Sequence, residues 1–440
     1  MRGKIGVLKG LMVACLMGTV LITFTLAGQS QEEIKWIKLW DEFGYTGATA
    51  AGPAMEKLVD AWMAKHPNIK ITRSVLPAVL PMRTTIKLAL TAGEAPDLFY
   101  TWPAAAVQSS FAKAGYLYDL TDAAKKYGWY ERLPELSIDR NSYKGRLYGF
   151  PYEQEYMVVY YNKDLFKSLA LKEPETYQEF LDQADRIKAA GYIPIAFGNK
   201  AQWSATNTLS VLLALTAGKK KEEQVLWGDA RWDRPEFVDA VERFAYWADR
   251  GYFPMGFNGL GYDEANMLFF QQKAAMNVTG SWLMQDMVRE TRGKFELGVF
   301  FLPSIYKDLP PSTMAGEGSE WNVWAKTRYP EEVIDFLAYL VSEENESIWI
   351  TEGLLFPMAD IDFSKYPDIH PVVRKMLEGG QKLRPNAVYD LHTTIPESVT
   401  FTLYSGLQAV SAKAITPEKF LKDMQKSWEE SKELGEIWIP

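Results

Sequence analysis

Two glutamates set the first chemical question. Glu153 and Glu155 stand two residues apart in PYEQEYM, a spacing that puts both carboxylates on one side of an extended segment. Glycoside hydrolysis uses such a pair, with carboxyl groups about 5 Å apart for retention and about 6.5 to 9.5 Å apart for inversion. The same groups, left ionised, accept bidentate hydrogen bonds from the hydroxyls of a bound molecule and change nothing in it. A solvated or salt-bridged role is the third reading, since close acidic pairs are common in a chain with 56 Asp and Glu. Spacing alone leaves all three open, and catalysis would further need one member with a raised pKa.

Other catalytic constellations are missing from the sequence. His66 stands at a helix end beside Pro67, His370 lies in a turn-like segment before Pro371, and His392 in YDLHTT has no evident partner. No HExxH pair, GxxxxGK[ST] loop or GxSxG elbow occurs. No catalytic residue, cofactor or metal site is therefore expected. Rings are plentiful instead: 15 Trp and 23 Tyr are more amphipathic ring surface than a core of this size requires. They fit either an aromatic-rich core or a cleft whose rings pack on sugar faces. Trp282 follows Gly280-Ser281 at the carboxyl end of the strand-like AAMNVT, Trp102 follows LFYT, Trp203 follows IPIAFGNKAQ, and Trp321 follows Glu320. With Asp41 and Glu42 after the first strand, and with Glu153, Glu155 and Glu320, these four rings are the candidate ligand contacts. Trp62 shares a helical stripe with Leu58 and Val59 and reads as core, and Trp428 and Trp438 read as packing.

The elements that must position these residues alternate. IKWIKLW (34–40) reads as a short buried strand, and Met55, Leu58, Val59, Trp62 and Met63 recur at helical spacing before His66-Pro67-Asn68. IKITRSV, a helical stretch near 82–92 and Leu98-Phe99-Tyr100 continue the strand–helix order. Thr176 and Glu179 form a capping box, Pro235 and Pro330 open further helices, and IPIAF, AAMNVTG and LGVFFLP are strand-like. The simplest solution is an α/β body of helix-flanked, mainly parallel sheets in two lobes, with a shared ligand cleft at the strand ends. The loops expected there are Asp41–Gly47, Thr101–Ala105, Pro151–Glu155, Asn199–Trp203, Gly280–Trp282 and Gly318–Asn322.

The first residues combine Arg2, Lys4 and Lys9 with an apolar run from Leu11 to Ala27, the pattern of an export signal removed near Ala27-Gly28. Uncleaved, a run of that length would serve as an anchor. Loss of the leader would remove Cys15, the single cysteine, and with it any disulfide or thiolate site. About 410 residues remain, enough for two domains and a disulfide-free core. The net charge of -8 becomes -11 without those three basic residues, which disfavours a nucleic-acid partner.

The order of several segments is similar to the extracellular solute-binding proteins of ABC importers, in the sugar-binding branch that includes maltose-binding protein. The most specific stretch is YKGRLYGFPYEQEYMVVYYNKDLF (143–166); the others are GEAPDLFYTW (93–102), AGYLYDLTD (114–122), PETYQEFLDQADRIKAAGYIPIAF (174–197) and FFQQKAAMNVTGSW (269–282). The resemblance implies a two-lobed, type II periplasmic-binding-protein-like fold. Its lobes would be 31–150 with 303–355 and 151–302 with 356–440, after a signal peptide at 1–27. It implies a monomer, exported to the periplasm or the outer face of the cytoplasmic membrane. There it would capture a carbohydrate, and specifically an oligosaccharide, between hinged lobes and hand it to ABC transmembrane permease subunits. By position, Glu155 resembles the family's cleft carboxylate and Trp282 its stacking ring, while the loop from Asp41 and Thr101 or Trp102 correspond to first-lobe contacts. Glycoside hydrolysis by Glu153 and Glu155, and a same-fold binder for a peptide or polyol phosphate, are the alternatives.

Overall fold

A computed structural model describes residues 33–44, 51–76, 80–101 and 105–438. Its strands in chain order are β1 (Lys35–Asp41), β2 (Ile69–Val75), β3 (Leu98–Thr101), β4 (Ser142–Tyr143), β5 (Arg146–Leu147), β6 (Gly149–Asn162), β7 (Ile193–Ala196), β8 (Ala274–Gly280), β9 (Leu297–Phe300) and β10 (Ala315–Val323). The main sheet runs β2-β1-β3-β10-β6-β8-β7, with β9 also on β6, while β4 and β5 form a small hairpin. It is mixed. β1 is parallel to β2 and β3, and β7 is parallel to β8. The central β10 and β6 run antiparallel to their neighbours.

Strand β6 joins the two lobes. From Gly149 to Tyr156 it pairs with β10, and from Met157 to Asn162 it pairs with β8 and β9. One hydrophobic cluster gathers around β1, β2 and β3 and includes Phe150, Tyr152 and Trp321. Two others cover opposite faces of the second-lobe sheet, around Val159 and Ile195 on one side and Val158 and Val299 on the other. The stretch after Gly353 runs alongside β6 as well: Gln154 donates its N–H to Phe356 O and Met358 donates to Tyr152 O, both at 2.8 Å.

Two segments expected as loops are strands. Pro151–Glu155 lies inside β6, and Gly318–Asn322 lies inside β10. Pro151 and the polar run Glu-Gln-Glu look like a turn locally, but pairing with a distant strand overrides that signal. β10 accommodates the fit with register irregularities between Glu317 and Ser319 and between Ser319 and Glu320. The first strand differs in a smaller way. β1 alternates, with Ile37, Leu39 and Asp41 buried and Trp36 60% exposed, so it has one covered face rather than two.

The helices begin where the caps predict. Thr176 Oγ1 accepts the Glu179 N–H at 3.1 Å ahead of the helix Tyr177–Ala189, and Pro235 and Pro330 occupy first-turn positions of Pro235–Asp249 and Pro330–Leu340. Among the described residues no helix is long and apolar enough to cross a membrane. The expected leader and Cys15 lie outside the described residues.

At the end of β1 an ion pair fixes the exit of the chain. Arg73 Nε and Nη2 donate to the two oxygens of Asp41 at 2.7 Å each, and the Phe43 N–H donates to Asp41 Oδ1 at 2.8 Å. Asp41 is completely buried. Removing the guanidinium would strand its charge, so Arg73→Met is expected to lower unfolding free energy by about 3–5 kcal/mol in chemical denaturation. A loss below about 1 kcal/mol would mean that the carboxylate finds water or another partner.

Candidate functional site

The alternation of β6 puts Glu153, Glu155 and Met157 on one face, and Met157 lines a small pocket. The pocket is lined by Met157, Trp203, Tyr262, Asn207, Asn277 and Trp282. Trp282 enters it from the short turn Ser281–Leu283 directly after β8. Its Nε1–H donates to Tyr262 Oη at 2.9 Å, and that hydroxyl also bonds Thr279 Oγ1 at 2.8 Å, so the indole stands at one end of a polar relay. Gly280 leaves room for it, because a Cβ there would come within 1.9 Å of the ring. Trp203 opens the helix Trp203–Thr216, 6.0 Å from Trp282 edge-on and 4.6 Å from Tyr262. Both tryptophans remain partly exposed.

The paired strands β6 and β10 carry four acids, Glu153, Glu155, Glu317 and Glu320. Glu153 is buried and accepts from Tyr100 Oη at 3.2 Å. Burial pushes its carboxyl up to about 7, partly offset by hydrogen bonds from Tyr100 and Ser319. Glu155 is raised well above the carboxylate range, first by burial and then by the charges of Glu153, Asp390 and Glu42. Its side chain lies across Gly318, where a Cβ would fall 2.3 Å from the carboxyl carbon. Glu317 accepts from Asn141 Nδ2 at 2.6 Å, and Glu320 accepts from Thr101 Oγ1 at 2.9 Å. Burial raises Glu317 to about 7 against the pull of Arg140, and raises Glu320 to about 8 with help from the neighbouring Glu317 charge. Asn322 completes this layer, its Nδ2 donating to Thr101 Oγ1 at 2.9 Å and its Oδ1 lying 2.7 Å from the Gln108 amide.

The expected contacts therefore divide. Trp203 and Trp282 line one pocket with Met157 of β6, Glu155 stands two residues before Met157 on the same strand face, and the charges of Glu153 and Glu42 bear on Glu155. Trp102 lies outside the described residues. Asp41 is not placed to meet a ligand, because Arg73 and the Phe43 N–H occupy its carboxylate. Trp321 is a core ring with no exposed surface, packed 5.1 Å from Tyr100 and 5.9 Å from Phe43. Glu320 is 3% exposed and is bonded within the first lobe, so it supports the site from below.

Sequence reasoning passed over Tyr262, Glu317, Arg140 and the Asp390–His392 pair, whose Oδ1 and Nδ1 are 2.6 Å apart. Only Tyr262 left a local signal: Gly261 and Glu264 mark a helix start there, since Glu264 Oε2 accepts the Gly261 N–H at 2.9 Å. His66 and His370 serve their own helices: His66 stacks on Trp62 at 4.0 Å, and His370 Nδ1 accepts the Val372 N–H. Among the described residues no group of three or more His, Cys, Asp or Glu is arranged to hold a metal ion.

Residues 46–347 match a family model described as bacterial extracellular solute-binding protein. The multiple sugar-binding protein of Streptococcus mutans is 25% identical over 350 residues, 77% of this chain and 77% of that protein. The mannitol-binding protein of Pseudomonas aeruginosa is 30% identical over 277 residues, 61% of this chain and 59% of the relative. A structure from work on xylan utilization by the thermophilic bacterium Caldanaerobius polysaccharolyticus is similar with a TM-score of 0.79 at 27% identity, covering 89% of this chain and 99% of its own.

The buried acids give the folded chain a definite pH response. Glu153, Glu317 and Glu320 hold protons more tightly folded than unfolded, where the reference value is 4.5. Their contribution is complete below about pH 4.5 and is lost as pH rises through about 7 to 8. The ligand-free melting temperature is expected to fall between pH 5 and pH 8, and Glu320→Gln should flatten that slope. A melting temperature that rises across the same window in both proteins would contradict this assignment.

Proposed function

The chain belongs to the bacterial extracellular solute-binding proteins, a binder and not an enzyme, and on that premise we propose that its solute is a carbohydrate, specifically an oligosaccharide. The observation that carries this reading is the Trp203, Tyr262 and Trp282 group, which lines a pocket with Met157, two residues along β6 from Glu155. Sugar rings present apolar C–H faces and polar edges. Indole faces cover the former by dispersion and exclusion of water, while carboxylates and amides accept and donate at the latter. Asn207, Asn277 and Thr279 line the same pocket and supply both donors and acceptors. Relatives named for multiple sugars and for mannitol are consistent with a polyhydroxylated ligand.

Capture proceeds by closure. The lobes, 31–150 with 303–355 and 151–302 with 356–440, rock about β6 and its companions, and a ligand that touches both favours the closed arrangement. The raised carboxyl of Glu155 suits it to donate as well as accept at a hydroxyl: the protonated form has an O–H to offer, which an ionised acid lacks. Glu42 would approach from the first lobe. The closed protein, exported as a monomer after removal of 1–27 to the periplasm or the outer membrane face, delivers the sugar to ABC permease subunits. No bond in the sugar is broken.

Intrinsic tryptophan fluorescence titrated with mono- and oligosaccharides tests the proposal. A saturable change with at least one oligosaccharide is expected, and Trp282→Ala should weaken that binding by about 1–3 kcal/mol, the scale of a stacked ring, with little change in melting temperature. Gly280→Ala should weaken it too, by displacing the indole. Silence across the whole panel would reject the carbohydrate, and full affinity in Trp282→Ala would move the site elsewhere.

A further inference from the structure

Arg140 ends the short helix Glu135–Arg140 and is 4% exposed. Its neighbour Asn141 is tied to the first lobe, donating to Glu317 Oε1 and accepting the Tyr148 N–H through its own carbonyl at 2.9 Å. The guanidinium turns the other way. Arg140 Nη2 donates to Thr393 Oγ1 at 3.1 Å and to Thr393 O at 3.3 Å, on the second-lobe helix Leu391–Thr394. That helix also lies against the first-lobe helix Ala105–Lys113.

The receiving segment is rigidly held from its own side. Tyr389 donates its N–H to Glu222 Oε2 at 2.9 Å, Leu391 donates to Ser210 Oγ at 3.3 Å, and Thr393 Oγ1 donates to Asp390 O at 3.0 Å. Arg140 therefore grips an anchored element and not a mobile loop. Meanwhile Arg140 Nε and Glu317 Oε2 are buried with no hydrogen-bond partner among the described residues. A buried guanidinium beside a buried carboxylate ordinarily forms a paired fork. Here the cation's bonded nitrogen reaches across to the other lobe.

We propose that Arg140 is a positioning residue for solute capture: its cross-lobe hydrogen bonds to Thr393 hold the two lobes together before any ligand arrives. A chain that already populates the closed arrangement surrenders less free energy when the solute binds, because the competent state is not rare. The proposal rests on the chain's being a two-lobed binder but not on which sugar it takes, so its test contains no sugar.

The test places spin labels at Asp60→Cys, on the first-lobe helix Ala51–Lys65, and Lys220→Cys, on the second-lobe helix Gly218–Leu226, both exposed, with Cys15 replaced by Ser. Electron–electron distance measurement on the ligand-free protein should give a short-distance population matching the closed arrangement. Arg140→Met should shift the closed-to-open ratio about tenfold toward open, the scale of hydrogen bonds from a charged group, and Arg140→Lys should recover part of it. Thr393→Val leaves the first lobe untouched and should give a smaller shift of the same sign, which decides the matter if Arg140→Met does not fold. A wild-type chain with no short-distance population overturns the proposal. So does a distribution unchanged by Arg140→Met or, where that variant does not fold, by Thr393→Val.

Discussion

The architecture depends on one strand being shared. β6 is paired with β10 over its first half and with β8 and β9 over its second, so the backbone hydrogen bonds of both lobes run through Gly149–Asn162. A strand with both edges occupied and both faces covered buries nearly all of its polar side chains, and only Glu155 along it is partly exposed. Glu153 and Gln154 are consequently buried, and each is matched to a specific donor or acceptor: Tyr100 for one, Pro357 O and Tyr156 for the other. The acids at the seam are raised toward neutrality by that burial. β6 and its partner β10 thus bring hydrogen-bonding carboxyl groups of raised pKa to the place where the lobes meet.

The rings take the complementary task. Trp282 is set by a glycine that clears its space and by a hydroxyl relay through Tyr262 to Thr279, all on or beside β8, the direct neighbour of β6. Tyr156, next to Glu155, donates its N–H to Ser281 Oγ at 3.2 Å, which couples the carboxylate strand to the turn that carries the indole. The indole and the Glu155 end of β6 are therefore tied together by backbone and side-chain bonds. Arg140, Thr393, Asp390 and Glu42 are among the residues that lie between the lobes. Polar contacts exchange readily with water, whereas an apolar seam would weld the lobes shut.

Much of this was legible in the sequence wherever the signal is local. The capping residues, the helical stripe that buries Trp62, the period-2 placement of Glu153 and Glu155 and the position of Trp282 after a strand all follow from spacing. The failures are all non-local. Asp41 looked available because Arg73 is 32 residues away and becomes its neighbour only when β2 pairs with β1. Trp321 looked like a loop residue because irregular pairing of β10 between Glu317 and Glu320 is invisible without its partner strands. Arg140 and Thr393 are separated by 253 positions, and no pattern within either segment points to the other.

The central claim is that this seam binds a sugar and leaves it intact. Calorimetric titration with a panel of neutral oligosaccharides, followed by chromatographic recovery of the ligand, tests it most directly. The account predicts one-to-one saturable binding to at least one oligosaccharide, recovered at its original length. Shortened products that disappear in Glu153→Gln or Glu155→Gln would contradict it, and so would the absence of binding heat across the set.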